Sequence, residues 1–204
     1  VLEAVLGKFG TRCLDNNKRV QEAAVSALAV LEETTGPAIE PFIGSIVQVV
    51  VACFAKYKAK NLLILFDAVA TLAEAVRSKL AQPDVVAILM PPILAKWEQL
   101  GDEDQALIPC TECLSALVGV MGPLFLPFVE PMYARALRIV HARTAQVIGL
   151  CMVHLRYLLT SLLTPCIVAP LGRGELTRSD FAVVSLDMIS SMLDALGSQL
   201  TPLV

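Results

Sequence analysis

Apolar residues recur every three or four positions along most of the chain, the period of helices that bury one stripe and leave the other side wet. Four such stretches end alike: AAVSALAVLEETTG at Gly36, LFDAVATLAEAVR at Arg77, CTECLSALVGVMG at Gly122 and SLDMISSMLDALG at Gly197. Aligned on Leu31, Leu72, Leu117 and Met192, they are spaced by 41, 45 and 75 residues. The first two spacings fall in the range of about 40–47 residues set by HEAT-type units, and the third equals one unit plus an insertion. Each of the last three stretches is preceded by a proline-bearing helix: IEPFIGSIVQVVV, LMPPILAKWEQL or LFLPFVEPMYARAL. Proline there removes a backbone donor and is expected to bend the helix.

The unit is therefore an outer helix A with proline and an inner helix B. Neither can bury its stripe alone, so neighbours must stack into an all-α solenoid of antiparallel pairs. Residues 1–140 are expected to hold about three pairs plus a further helix A, with the first A helix partly present in Val1–Leu14. Residues 180–204 carry the B helix of the last unit. Asp15-Asn16 and Asp102-Glu103-Asp104 precede B helices, where acidic groups suit the positive helix end.

The wet side of the B helices carries the chemistry. Five residues before each anchor stand Ser26, Asp67, Glu112 and Asp187, and two residues after it Glu33, Glu74, Gly119 and Asp194. The two positions are seven apart, hence on one helix face, with only Val30, Thr71, Ala116 and Ser191 between them. Equivalent positions of stacked units line up across one surface, commonly the concave one. Six carboxylates in eight positions would form an acidic ladder. Packed helices lie about 8–10 Å apart and an extended chain advances about 3.3 Å per residue. One rung would thus serve about three ligand residues, which suits an extended peptide with Lys or Arg every few positions. A merely solvated acidic face is the competing reading.

Composition narrows the alternatives. The 204 residues are 56% hydrophobic and 17% charged, with mean hydropathy +0.68, which excludes intrinsic disorder. Ile43–Ala55 is too short for a span of roughly 20 residues, and the apolar run from Ala145 to Leu171 is interrupted by His154, Arg156, Pro165 and Pro170. No membrane span is expected. Aromatics at 5% argue against a β-sandwich, and six cysteines without a sequon point to a reducing compartment. Between His141 and Arg178 the arginines at 143, 156, 173 and 178 face Glu175 alone. The total of −3 thus averages that basic stretch with an acidic repeat body. The start in mid-pattern, without Met or a secretory signal, leads us to expect a parent that extends on the N-terminal side.

Other chemistry is thin. Cys110-x-x-Cys113 has no second pair to complete a zinc site, and His141 and His154 stand without a motif. Gly172-Arg173-Gly174 lacks the rest of a phosphate loop, and Trp97 reads as a packing residue of its A helix. No nucleophile signature, cofactor motif or nucleic-acid motif stands out, so neither an enzyme nor a metal or cofactor site is expected.

Specific strings sharpen this reading. Asn17-Lys18-Arg19-Val20-Gln21-Glu22-Ala23-Ala24, Lys60-Asn61-Leu62-Leu63-Ile64-Leu65-Phe66-Asp67-Ala68, Leu89-Met90-Pro91-Pro92 with Lys96-Trp97, and Asp102-Glu103-Asp104 resemble the middle repeats of the transportin family of β-karyopherin nuclear import receptors. The resemblance runs from about Leu14 to Ile139 and resumes at Asp180. It implies a receptor shuttling between cytoplasm and nucleus, which binds extended basic nuclear localisation signals ending in Pro-Tyr. It also implies contact with nucleoporins and cargo release by Ran-GTP, through the full-length receptor.

Carried over by position, the family's cargo-lining residues fall on Glu22, Ala23, Ser26 and Glu33 in the first B helix and on Asp67, Thr71 and Glu74 in the second. Glu112 is comparably placed in the third, and Val184 and Asp187 in the fourth. Val30 stands where the family has Thr, and Ile108 where it has Phe, which puts a hydroxyl contact and a stacking surface in doubt. Asp194 joins the site from the ladder pattern alone. The Pro-Tyr pocket is expected in repeats before Val1, and the Ran surface mainly outside this window.

Residues 141–179 have no recognisable counterpart. Three readings stand: a lineage-specific insertion, an extra helix on the solenoid, or sequence absent from the mature protein, which the abrupt change in composition favours. A membrane-contacting helix is a further alternative. For the chain as a whole, the alternatives are a HEAT scaffold without a transport role and an inactive truncated product.

Overall fold

The computed structural model describes residues 1–142 and 179–196. The helices are α1 (Leu2–Cys13), α2 (Lys18–Thr35), α3 (Ile43–Lys56), α4 (Ala59–Val76), α5 (Pro83–Gln99), α6 (Leu107–Met121), α7 (described over 126–142) and α8 (Ser179–Leu196). In one layer α2 packs on α4, α4 on α6 and α6 on α8; in the other α1 touches α3 and α3 lies on α5. The layers are joined within each pair, α1 to α2, α3 to α4 and α5 to α6. This is an all-α solenoid of stacked pairs, with α2, α4, α6 and α8 as B helices.

The apolar stripes account for the stacking. Leu65, Phe66, Val69 and Leu72 of α4 and Leu114, Leu117 and Val118 of α6 are almost wholly buried, as are Leu89, Met90 and Ile93 of α5. Each such side chain contributes roughly 1.5–3 kcal/mol when fully removed from water. The runs Lys18–Lys56 and Leu107–Ala142 are long and apolar enough to cross a membrane by length and composition. Each, however, is two helices joined by a 3-10 turn, Gly36–Phe42 or Gly122–Phe125, and much of its apolar surface is buried against neighbours.

The repeat is exact at the ends of the first three B helices. Gly36 (φ 49°, ψ −129°), Arg77 (φ 46°, ψ −128°) and Gly122 (φ 50°, ψ −127°) share one left-handed conformation, spaced as the anchors are. Each of these residues opens a 3-10 turn leading to the next A helix. Pro41 lies in that turn, ahead of α3, so it shapes the entry rather than bending the helix; Pro91 and Pro92 do lie inside α5.

Polar contacts fasten the pairs. The Tyr57 hydroxyl donates to the Cys13 carbonyl oxygen at 2.7 Å, and Asn61 Nδ2 donates to the Lys18 carbonyl and to Gln21 Oε1 at 3.0 and 2.9 Å. Asn17 caps α2 by accepting the Arg19 N–H at 3.0 Å. The acidic triplet is divided differently from the expectation. Asp104 accepts the Ala106 N–H at 2.9 Å just before α6, which starts at Leu107, whereas Asp102 holds Arg135 of α7 at 2.8 Å.

Candidate acidic face of the B helices

Each B helix turns one edge away from the opposite layer, and the ladder lies along those edges. Ser26 and Glu33 on α2, Asp67 and Glu74 on α4, Glu112 and Gly119 on α6, and Asp187 and Asp194 on α8 are all exposed. The intervening Thr71 and Ser191 are half-buried and turn their hydroxyls back to the Asp67 and Asp187 carbonyl oxygens at 3.0 and 2.9 Å. They therefore add little competing polarity between rungs. Val30 is 60% exposed and leaves an apolar spot on the first rung. Of the remaining sequence-derived residues, Ala23 is exposed, while Glu22, Ile108 and Val184 are half-buried beside the ladder.

Electrostatics tie two rungs together. Partial burial raises the pKa of Glu112, and the charge of Asp67 on the neighbouring helix raises it further. Such like-charge crowding disfavours ionisation until a cation arrives. At the start of the ladder, Glu22 accepts Lys60 at 3.2 Å, an ion pair between α2 and α4.

Two charged features were not picked out from the sequence. Glu32, beside Glu33, is 1% exposed and both its carboxylate oxygens lack a hydrogen-bond partner; burial pushes its pKa up to about 8. Its spacing of four from Leu28 and seven from Val25 puts it on the apolar stripe, a signal the sequence carried. Arg135 bonds the Trp97, Leu100 and Asp102 oxygens, with its guanidinium carbon 4.6 Å from the Trp97 ring centre. Trp97 is thus both a packing residue and an arginine platform. Cys110 and Cys113 are buried in α6, and His141 is exposed. Among the described residues no group of three His, Cys, Asp or Glu could hold a metal. His154, Gly172 and Gly174, and nearly all of the 141–179 stretch with the readings attached to it, lie outside the described residues.

No family model matches the chain. Among curated proteins it is 38% identical over 203 residues to Transportin-1 of Homo sapiens, 37% over 193 residues to Transportin-1 of Oryza sativa subsp. japonica, and 38% over 191 residues to Importin subunit beta-2 of Schizosaccharomyces pombe. These alignments cover 100%, 95% and 94% of the chain but only 21%, 19% and 19% of the relatives, so the chain spans about a fifth of their length. The helix-pair repeat and this whole-chain similarity agree, and the chain belongs to the transportin, or importin beta-2, family.

Proposed function

We propose that the chain is a segment of a nuclear import receptor and that the exposed edges of its B helices form a cargo-binding surface. The ligand is an extended basic segment of the Pro-Tyr class of nuclear localisation signal. Glu22, Glu33, Asp67, Glu74, Glu112, Asp187 and Asp194 take its cations, with Ala23, Ser26, Thr71, Ile108 and Val184 forming the floor. The observation that carries this reading is the ladder itself: carboxylates at repeat-equivalent positions stay exposed across four stacked helices, close enough for Asp67 to raise the pKa of Glu112. A lysine or arginine between those two groups would relieve the repulsion.

Mechanistically, the face acts by charge and spacing. A single exposed pair contributes about 0.2–1 kcal/mol, so several rungs must engage together, and affinity must fall as salt shortens the Debye length. Ran-GTP, nucleoporins and the Pro-Tyr element itself are engaged by the full-length receptor, which moves between cytoplasm and nucleus. No chemistry on the cargo is involved.

The test is fluorescence anisotropy with a labelled peptide carrying Arg or Lys every third residue and ending in Pro-Tyr, compared before and after Asp67→Lys, Glu74→Lys and Asp187→Lys together. Binding should drop at least tenfold at low salt. Equal binding by the charge-reversed protein would refute the acidic face as the cargo site.

A further inference from the structure

The edge where the α1–α2 and α3–α4 connections meet has the opposite charge from the ladder beside it. Lys18, Lys56, Lys58 and Lys60 meet there, with Arg12 and Arg19 nearby in the sequence, and the acids along the same α1–α2 segment are Asp15 and Glu22. Both carboxylates are already engaged. Asp15 accepts the Asn17 N–H at 2.8 Å and pairs with Arg12 at 3.4 Å, and Glu22 holds Lys60.

Between the connections lies a pocket of about 210 Å³ walled by Lys18, Lys56, Lys58 and Lys60. Its floor is tied together by hydrogen bonds. Gln21 and Asn61, 5% and 4% exposed, bond each other at 2.9 Å, and Gln21 Nε2 donates to the Asp15 carbonyl at 2.6 Å. Lys56 is held by the Leu14 carbonyl and Asn16 Oδ1 at 2.6 and 3.0 Å, contacts that position its charge without neutralising it. Lys18 and Lys58 are exposed and have no ion pair among the described residues. Lys58 is also the N-cap of α4 and provides no side-chain acceptor for the first turn, so the positive helix end adds to the field.

Four lysines lining an amide floor, two of them without an ion pair among the described residues, with no acid or aromatic ring in the lining, suit a compact anion rich in oxygen. A phosphate monoester carries about −1.5 to −2 charges and three acceptor oxygens, and lysine binds it as a point charge. The pocket is smaller than the roughly 300–1,000 Å³ of sites that enclose drug-sized ligands, so it fits a phosphoryl group on a side-chain stem rather than a nucleotide. Lys60 connects the two surfaces, since it both lines the pocket and covers Glu22 of the ladder.

We infer that this pocket binds the phosphorylated serine or threonine of a polypeptide whose basic stretch lies on the acidic face, drawing Lys60 off Glu22 as it does so. The anion site stands on the pocket alone, whereas its coupling to a bound polypeptide rests on the function proposed above.

Two measurements on the full chain separate these parts. In the first, inorganic phosphate is titrated and followed by NMR in about 20 mM salt, a regime where screening is weak. Shifts at Lys18, Lys58, Lys60 and Asn61 should saturate in the millimolar range and disappear in the Lys18→Ala, Lys58→Ala double variant. Absence of saturation, or identical shifts in the variant, overturns the site. In the second, a basic extended peptide is compared with its counterpart bearing one phosphoserine within three residues of the basic stretch. The phosphorylated form should bind three- to tenfold tighter to the parent protein and with no advantage to the double variant. Phosphorylation that leaves affinity unchanged or lowers it, or an advantage that persists in the variant, overturns the coupling. If neither peptide binds while phosphate saturates, the acidic-face reading falls and the anion pocket stands.

Discussion

Glu112 on α6 is held above the usual carboxyl range by partial burial and by the charge of Asp67 on α4, so the two rungs of the acidic face are electrically coupled. Replacing Asp67 with Asn should lower the Glu112 pKa, read as the titration of its side-chain carboxyl by carbon NMR. Because the folded pKa is raised, the ionised form is the strained one, and a bound cation favours it. Affinity for a basic peptide should therefore rise with pH as Glu112 titrates, and more weakly so in the Asn variant. A Glu112 titration unmoved by the substitution would show that the carboxylates act separately.

Lys60 already occupies Glu22 as a cargo cation would. Its removal in Lys60→Ala frees that carboxylate. An unphosphorylated basic peptide should bind about two- to threefold tighter at low salt, as expected for an exposed pair of about 0.2–1 kcal/mol, and the gain should vanish near 0.5 M salt. Folding stability should barely change. Weaker binding by the variant would mean that Lys60 contacts the peptide directly.

The repeat was readable because it is written locally. Leu31, Leu72 and Leu117 each stand five residues before the left-handed residue that ends their helix, so one alignment located the helices, the exposed edges and the turns. Pairings between units are not local. Glu22 meets Lys60 across 38 positions and Asp102 meets Arg135 across 33, and no periodicity within one helix specifies such partners. Glu32 is a different case. The Glu32-Glu33 doublet places one carboxylate on each side of the helix, and the 3.6-residue period assigns Glu32 to the core stripe and Glu33 to the exposed edge.

Arg77 occupies the conformation that Gly36 and Gly122 adopt in neighbouring repeats. At φ 46° its Cβ is strained, while a Cβ built on Gly36 or Gly122 would meet nothing within 4 Å. The cost is therefore one of backbone dihedrals rather than packing. Relief of about 1–3 kcal/mol of strain outweighs the roughly 0.5–1 kcal/mol entropic penalty of glycine. Arg77→Gly should therefore stabilise by about 1 kcal/mol, a Tm rise of about 2–4 °C for a chain this long. Gly36→Ala and Gly122→Ala should lower Tm. A drop in Tm for Arg77→Gly would show that its side chain matters more than its backbone.

Arg135 closes the α5–α6 connection from α7, with its side chain 11% exposed. Lysine cannot reproduce the planar fork that reaches two carbonyls and a carboxylate at once. Arg135→Ala should cost about 2–4 kcal/mol, since charged hydrogen bonds count for about 1.5–3 kcal/mol and Asp102 loses its principal partner. Arg135→Lys should recover less than half of that. Arg138, at 3.4 Å from Asp102 and exposed, should cost less than about 0.5 kcal/mol when truncated. Urea denaturation ranks the three, and equal losses at 135 and 138 would contradict the clamp.

Glu32 makes stability depend on pH in a defined direction. Burial raises its folded pKa from 4.5 to about 8, so the native state holds a proton that the unfolded chain releases above about pH 4.5. The stabilising effect of that proton is complete below pH 4.5, declines by about 1.4 kcal/mol per pH unit through the window, and is exhausted above pH 8. Local opening of α2 can hydrate the carboxylate before the full penalty develops, which makes this slope an upper value. Glu32→Gln keeps the shape and removes the titration. Its urea midpoint should match the parent near pH 5, exceed it at pH 9, and vary less with pH between them. Glu33→Gln, exposed one residue away, supplies the control and should leave the parent's pH profile in place. A Glu32→Gln profile as steep as the parent's would place the dominant titration elsewhere in the chain.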